Sequence, residues 1–213
     1  KMNAVKAEFP EVRCEVGDVR DIDWLTTIFP GHETIIHAAA IKIVPLAEAR
    51  PREAILTNVV GSMNVAQAAI ESGVKRVVGI SSDKAAGLTY YGNTKRLMEA
   101  TFRQAREWGN TEFVLCRYGN VLKSANSVVP FFQKQIDDGK PFTITHLEMT
   151  RFWLSMQQAI DLILYTYHYA KSGDIVVPKA PAMKVVDLAK TLDPDREVVE
   201  IGIRAGERLH ETL

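Results

Sequence analysis

The chain has 213 residues, enough for one sizeable core or for a domain with a smaller appendage. Its 26 basic and 26 acidic side chains cancel to a formal net charge of zero, which excludes the electrostatic footprint of a nucleic-acid binder and leaves small molecules or proteins as partners. The two cysteines, Cys14 and Cys116, lack any paired spacing for a disulfide or metal site, and no run approaches the ~20 apolar residues of a membrane span; a reducing, cytoplasmic setting with no membrane and no metal is expected.

The opening stretch "KMNAVKAEFPEVRCEVGDVRD" has no Met at its first position, and the chain is read as a piece of a longer protein. "TIIHAAA" (34–40) predicts a strand, and the amphipathic "PREAILTNVVGSMNVAQAAIESG" a helix with Gly73 as its C-cap. "VKRVVGISS" is the next strand, "TKRLMEATFRQAREWG" a second long helix ending at Gly109, and "EFVLCRYGNV" a further strand. Such alternation predicts an α/β fold, a Rossmann-like doubly wound parallel sheet truncated at its N-terminal side. After residue 120 the texture changes to shorter pieces, among them a helix over "SMQQAIDLILYTYHYAKSG" capped by Ser155. The expected division is a partial dinucleotide-binding domain over 1–120 and a smaller C-terminal substrate-binding lobe over 121–213, some of whose segments can return to the sheet.

The densest chemistry follows "RVVGI", in "SSDKAAGLTYYGNTK" (81–95). The carboxyl ends of parallel strands are where open α/β sheets place ligands. Tyr91 and Lys95 form Y-x-x-x-K, which sets both side chains on one face of a helix. An ammonium beside a phenol favours the phenolate, lowering a pKa of about 10 and making Tyr91 a base for a hydroxyl. Alone the pattern also describes a packed Tyr and a solvated Lys. Asp83 and Lys84 add an acid and a base candidate at the strand end, and Ser82 adds a hydroxyl that can orient an oxygen.

In order along the chain, "HAAAIKIVPLAEARPREAILTNVVGSMNVAQAAIESGVKRVVGISSDKAA", "YGNTK", "RYGNV", "MTRFW", "VPKAPAMKVVDLAK" and "GIRAGERLHE" resemble the short, inverting UDP-N-acetylglucosamine 4,6-dehydratases, extended short-chain dehydrogenases/reductases that make bacterial surface sugars. The resemblance implies a tightly held NADP, with NAD the alternative, that starts and ends oxidised. It implies that Tyr91 takes the proton of the sugar 4-hydroxyl while Lys95 holds the nicotinamide ribose. Lys84 then removes the carbon 5 proton, its pKa lowered by burial and by Lys95. Asp83 protonates the departing 6-hydroxyl, and carbon 5 is reprotonated from its other face.

By the same resemblance Asp18 and Val19 contact the adenine end of the cofactor, Ala38, Ala39 and Ala40 let backbone approach it, and Asn58 supports the site. Lys42, Asn120, Arg151 and Arg204 match positions around the diphosphate and sugar, where the planar fork of arginine suits phosphate oxygens. A homo-oligomer is also implied. His37 and His210 are left out of the chemistry as structural residues.

The chain departs from the family in three places. No G-x-G-x-x-G follows a strand, so the phosphate-binding turn that normally seats the cofactor is expected outside these residues. The segment between Lys84 and Tyr91 is one residue shorter and lacks a proline, which leaves their separation open. Lys123, Ala125 and Asn126 stand where the family more often has Gly, Arg and Gly, so one phosphate contact is either lost or taken by Lys123. Two other readings stay open: another extended short-chain nucleotide-sugar enzyme such as a 4-epimerase, and a non-catalytic nucleotide-sugar-binding module.

Overall fold

The computed structural model describes residues 2–125 and 127–213. Its first part runs through α1 (Met2–Glu8), α2 (Ile22–Ile28), β1 (Thr34–His37), α3 (Val44–Ala49) and α4 (Pro51–Ile55). A π-helical turn (Leu56–Val60) joins α4 to α5 (Gly61–Glu71); then come β2 (Arg76–Ser82), a 3-10 turn (Asp83–Ala86), α6 (Tyr90–Ala105) and β3 (Glu112–Tyr118). The remainder holds β4 (Asn120–Val121), α7 (Val128–Asp137), β5 (Phe142–Ile144), β6 (Thr150–Leu154), α8 (Met156–Tyr169), β7 (Ile175–Val176), β8 (Ala182–Lys184), α9 (Val185–Leu192) and β9 (Val198–Glu200).

The central sheet is parallel, in the order β1-β2-β3-β7. Strands covered on both faces carry apolar residues at successive positions, as "RVVGI" and "FVLC" do. Alternate residues go to opposite faces. Val77, Phe113 and Leu115 join Val65, Ala69, Met98 and Phe102 beneath α5 and α6, while Val78 and Val114 meet Ile163, Tyr167 and Ala170 beneath α8. The sheet is therefore wound on both sides. Phe102 and Phe113, both fully buried, stack tilted at 5.4 Å between ring centres, and each such side chain contributes about 1.5–3 kcal/mol by leaving water.

Among the boundaries that differ from the sequence expectation, the second long helix ends at Ala105 rather than Gly109, and three others have a local reason. The first strand stops at His37 because the Asn58 side chain takes over the Ile41 backbone, accepting from its N–H at 2.8 Å and donating to its carbonyl at 3.2 Å. The strand drawn from 112 to 121 is two strands. At Gly119 a β-carbon would stand 2.6 Å from the Phe152 carbonyl oxygen, and beyond that close approach β4 leaves the sheet to pair with β6. The second long helix begins one turn earlier, at Tyr90, because Thr89 caps it through its hydroxyl and the Gly92 N–H, 3.0 Å apart. Gly73, with φ of 69°, closes α5 as expected, and Ser155 caps α8 in a capping box with Gln158.

Outside this sheet, β4, β6 and β8 form a three-stranded sheet and β5 pairs with β9. Phe132 of α7, Phe142 and Ile144 of β5 and Ala189 of α9 make a separate core there. Helix α8 and strand β7, though late in the chain, pack on the central sheet.

His37 ends β1, is buried, and shares a 3.0 Å hydrogen bond with the Ser62 hydroxyl, which itself donates to the Asn58 carbonyl at 2.7 Å. Burial, helped by the charge of Lys95, pulls its pKa down to about 3. The unfolded chain therefore takes up a proton below about pH 6.5 that the folded chain refuses until about pH 3, so this contribution is complete above pH 6.5 and is lost as the medium acidifies. Between pH 7 and 5 the wild type is expected to lose about 2 kcal/mol more stability than His37→Asn, read from denaturant melts at the two pH values.

Candidate active site

Strand β2 delivers two serines to opposite sides of the sheet. Ser81 donates to the buried Glu99 carboxylate, which Arg117 also holds at 2.7 Å, so this hydroxyl and this ion pair belong to the scaffold. Ser82 faces the other way and donates to Asp83 Oδ1 at 2.8 Å. The same oxygen accepts the Lys84 backbone N–H at 2.9 Å and the Lys84 ammonium at 3.0 Å. Asp83 is fully buried, and its second oxygen, Oδ2, has no partner among the described residues. Buried carboxylate oxygens normally find donors. This oxygen therefore keeps unused hydrogen-bonding capacity next to the lysine.

Tyr91 enters the same space from the first turn of α6. Its ring is 6 % exposed, against 59 % for Tyr90, so the structure puts only Tyr91 in the site. The Tyr91 N–H donates to Glu48 Oε1 at 2.9 Å, which fixes the start of the helix. Despite the shortened connection, the Gly87 N–H closes on the Lys84 carbonyl at 2.9 Å and Gly92 packs against that same carbonyl. Tyr91 consequently lies close enough to Ser82 and Asp83 for both to act on its phenol.

The expected lowering of Tyr91 by Lys95 is not found. Burial pushes the phenol up to about 12, with Ser82 opposing the rise and Asp83 and Tyr118 adding to it. The reason is the direction of Lys95, which shares the helix face but donates to the Ile80 carbonyl at 2.7 Å and lies 3.3 Å from Met98 Sδ. Burial pulls the Lys95 ammonium down to about 8, with Glu99 and Cys116 resisting. Asn58, in the π-helical turn, donates to the Thr94 hydroxyl at 3.0 Å besides bridging Ile41, and so ties α6 to the loop after β1.

On the expected cofactor side, Ala38 and Ala39 are exposed just past the carboxyl end of β1, and Ala40 is half-buried. Asp18 lines a cleft of about 360 Å³ with Arg20, Ile41, Leu46 and Thr57. Its carboxylate is held by Arg20 through both the guanidinium and the backbone N–H, and this pairing pulls it down to about 2. Val19 packs instead on the core, next to Gly61, and its carbonyl accepts from Asn64. The small exposed alanines leave the end of β1 open to a nucleotide-bearing cofactor, whereas Lys95 is buried and turned to the Ile80 carbonyl and Val19 offers that group only backbone.

The expected substrate residues divide. Asn120 leaves a buried Oδ1 without a partner. Lys42 is exposed and donates to the Ala125 carbonyl at 2.6 Å, tethering the loop that carries Lys123, an exposed residue at φ of 58°. Asn126 lies outside the described residues. Arg204 is exposed and paired with Glu207. Arg151 is buried and donates to the Thr150 and Leu209 carbonyls at 2.7 and 3.3 Å, with burial lowering its pKa.

Sequence reasoning missed Glu48, Tyr118 and Glu211. Tyr118 stands in register with Ser82 across β2 and β3, and Glu211 returns from the chain's far end to within 3.9 Å of the Lys84 ammonium. "GERLHE" was recognisable as a motif, but nothing in its spacing told which of its residues reaches the site. Among the described residues no cluster of His, Cys, Asp or Glu is placed to hold a metal, and no helix is long and apolar enough to cross a membrane.

Known proteins resemble this chain in sequence and in fold. The chain is 44% identical over 209 residues to a UDP-N-acetylglucosamine 4,6-dehydratase (inverting) of Campylobacter jejuni, covering 96% of this chain and 63% of that protein. It is 43% identical over 212 residues to a UDP-glucose 4-epimerase of Rickettsia massiliae, covering 96% of this chain and 62% of the relative. Among solved structures, Pen from Bacillus thuringiensis superposes with a TM-score of 0.93 at 33% identity, covering 98% of this chain and 68% of that one. The chain thus spans somewhat under two thirds of the curated relatives it matches. Residues 1–213, the whole sequence in hand, match one family throughout, and the chain belongs to the polysaccharide biosynthesis protein family.

Proposed function

We propose that this chain carries the acid–base machinery of an inverting UDP-N-acetylglucosamine 4,6-dehydratase, a hydro-lyase serving bacterial surface glycan synthesis. The carrying observation is the pair of buried Asp83 and part-buried Lys84, with one carboxylate oxygen unpartnered among the described residues, beside the buried Tyr91. Lys84 Nζ and Asp83 Oδ1 lie 3.0 Å apart, within reach for a proton to pass between them. Lys84 then accepts the carbon 5 proton and Asp83 protonates the departing 6-hydroxyl. Tyr91, oriented by Ser82, accepts the proton of the 4-hydroxyl.

NADP, or NAD in its place, would be held by Asp18, Val19, Ala38, Ala39, Ala40, Asn58, Tyr91 and Lys95, and when bound it supplies hydride acceptance and return. Asn120 Oδ1, Arg151, Arg204 and Lys42 are assigned to the UDP-sugar. The two-lobe division near residue 120, with α8 and β7 serving the first lobe, a homo-oligomeric state and a cytoplasmic location complete the reading.

A 4-epimerase is the second reading, favoured by the name of the Rickettsia relative. It needs Tyr91 and Lys95 but gives no task to a buried acid–base pair. Mass spectrometry of UDP-N-acetylglucosamine incubated with the intact protein separates the two. The dehydratase product is lighter by one water; a product of unchanged mass with altered carbon 4 configuration overturns the proposal.

A further inference from the structure

Inversion at carbon 5 poses a problem that the pair Asp83–Lys84 solves only in part, since Asp83, once its own proton has left, offers the Lys84 ammonium one carboxylate at 3.0 Å, already shared with Ser82 and the Lys84 backbone N–H. Lys84, having removed the proton, is an ammonium on the face it came from, and the easiest return is to that same face, which restores the starting configuration. Something must hold the proton on Lys84 while the new one arrives from the other side.

Glu211 is buried, its Oε1 stands 3.9 Å from Lys84 Nζ, and its Oε2 has no hydrogen-bond partner among the described residues. Its place is built rather than incidental. The Thr150 N–H donates to the Leu209 carbonyl at 3.0 Å, Arg151 donates to that carbonyl at 3.3 Å, and the Thr150 hydroxyl and His210 Nδ1 lie 2.8 Å apart. Strand β6 thereby latches the two residues before Glu211 and delivers its carboxyl to Lys84. The charged groups facing it are Lys84, Asp83, Arg151 and Arg208. Burial raises its pKa and Asp83 adds to the rise, while Lys84, Arg151 and Arg208 oppose it; a newly formed ammonium on Lys84 therefore favours the Glu211 anion.

We propose that Glu211 is the residue that enforces inversion: its carboxylate holds the Lys84 ammonium after proton removal and so prevents return of that proton to the same face of carbon 5. The inference rests on the dehydratase reading. In the step, the carbon 5–hydrogen bond breaks and its proton forms an N–H bond on Lys84, while the 6-hydroxyl leaves with the Asp83 proton as water. With the hydride that a bound nicotinamide would return going to carbon 6, the carbon 5–carbon 6 double bond is consumed and carbon 5 takes a proton from a water on the opposite face, whose hydroxide is neutralised by the proton that Tyr91 gives up. Lys84 afterwards returns its proton to Asp83 across their 3.0 Å contact, and Tyr91 releases the 4-hydroxyl proton to solvent, so the protons balance. Glu211 acts through Lys84 and is a positioning residue.

The test is proton NMR of products formed in heavy water by the intact protein and its E211Q and E211D variants, with folding checked by circular dichroism. Wild type is expected to give the inverted 6-deoxy-4-keto sugar. E211Q is expected to raise the fraction with retained configuration at least tenfold, that fraction keeping part of the substrate's own carbon 5 hydrogen, and E211D to fall between. A merely structural role lowers the rate and leaves the ratio alone. Purely inverted product from a folded E211Q, or a folded E211Q unable to exchange carbon 5 at all, overturns the proposal. If E211Q does not fold, E211D decides, and purely inverted product from it has the same meaning. Wild type giving no 6-deoxy product sinks the dehydratase reading instead.

Discussion

Lys84→Met is expected to leave oxidation at carbon 4 intact and to slow loss of the carbon 5 hydrogen by about 10³-fold, within the range for removing a positioned base. Methionine keeps most of the length and removes the ammonium that contacts Asp83 at 3.0 Å. The substitution also leaves a fully buried carboxylate without its ammonium, and breaking a buried pair from one side costs about 3–5 kcal/mol. Two bonds remain to soften that loss, from Ser82 and from the backbone N–H of residue 84. Adding Asp83→Asn separates the two effects. The double variant should regain stability in a denaturant melt, because position 83 no longer buries an unpaired charge, yet show no recovery of carbon 5 exchange. Recovery of exchange together with stability would mean that Lys84 serves the fold alone.

Gly92→Ala is expected to have the second largest effect. Inside a helix, alanine normally gains about 1 kcal/mol over glycine. Here its β-carbon would stand 2.2 Å from the Lys84 carbonyl oxygen, a backbone atom already bonded to Gly87 and unable to swing aside. The first turn of α6 must then back away from the 3-10 turn, and overpacking of this kind costs about 1–3 kcal/mol, occasionally more. We expect a net loss of about 2 kcal/mol in melts. Turnover should fall further than stability, because the displacement separates Tyr91 from Asp83 and Lys84. Unchanged melting and turnover would show that the contact between the two turns is not needed.

The sheet was legible because its strands, covered on both faces, are continuous apolar runs, and because the helices between them keep one apolar side. Asp83, Lys84 and Tyr91 were legible for a related reason: they follow a strand end within eleven residues, so local spacing nearly determines where they go. The direction of Lys95 was not. Helical spacing sets it on the face of Tyr91, but whether its ammonium turns to a phenol or to the Ile80 carbonyl depends on the neighbouring strand. Arg151 illustrates the same limit. Chemistry recommends a guanidinium for phosphate, whereas the fold commits two of its bonds to carbonyls that latch the chain's last turn. Glu211 lies 127 positions beyond Lys84, and only tertiary pairing between Thr150 and Leu209 brings it back.

The central claim is tested most directly by proton NMR of UDP-N-acetylglucosamine turned over by the intact wild-type protein in heavy water. The account predicts a 6-deoxy-4-keto product whose carbon 5 is inverted and carries deuterium, since Lys84 removes the original hydrogen and solvent supplies its replacement on the other face. A product that keeps its 6-hydroxyl and its carbon 5 hydrogen, changed only at carbon 4, would contradict it and assign the buried Asp83–Lys84 pair to the scaffold.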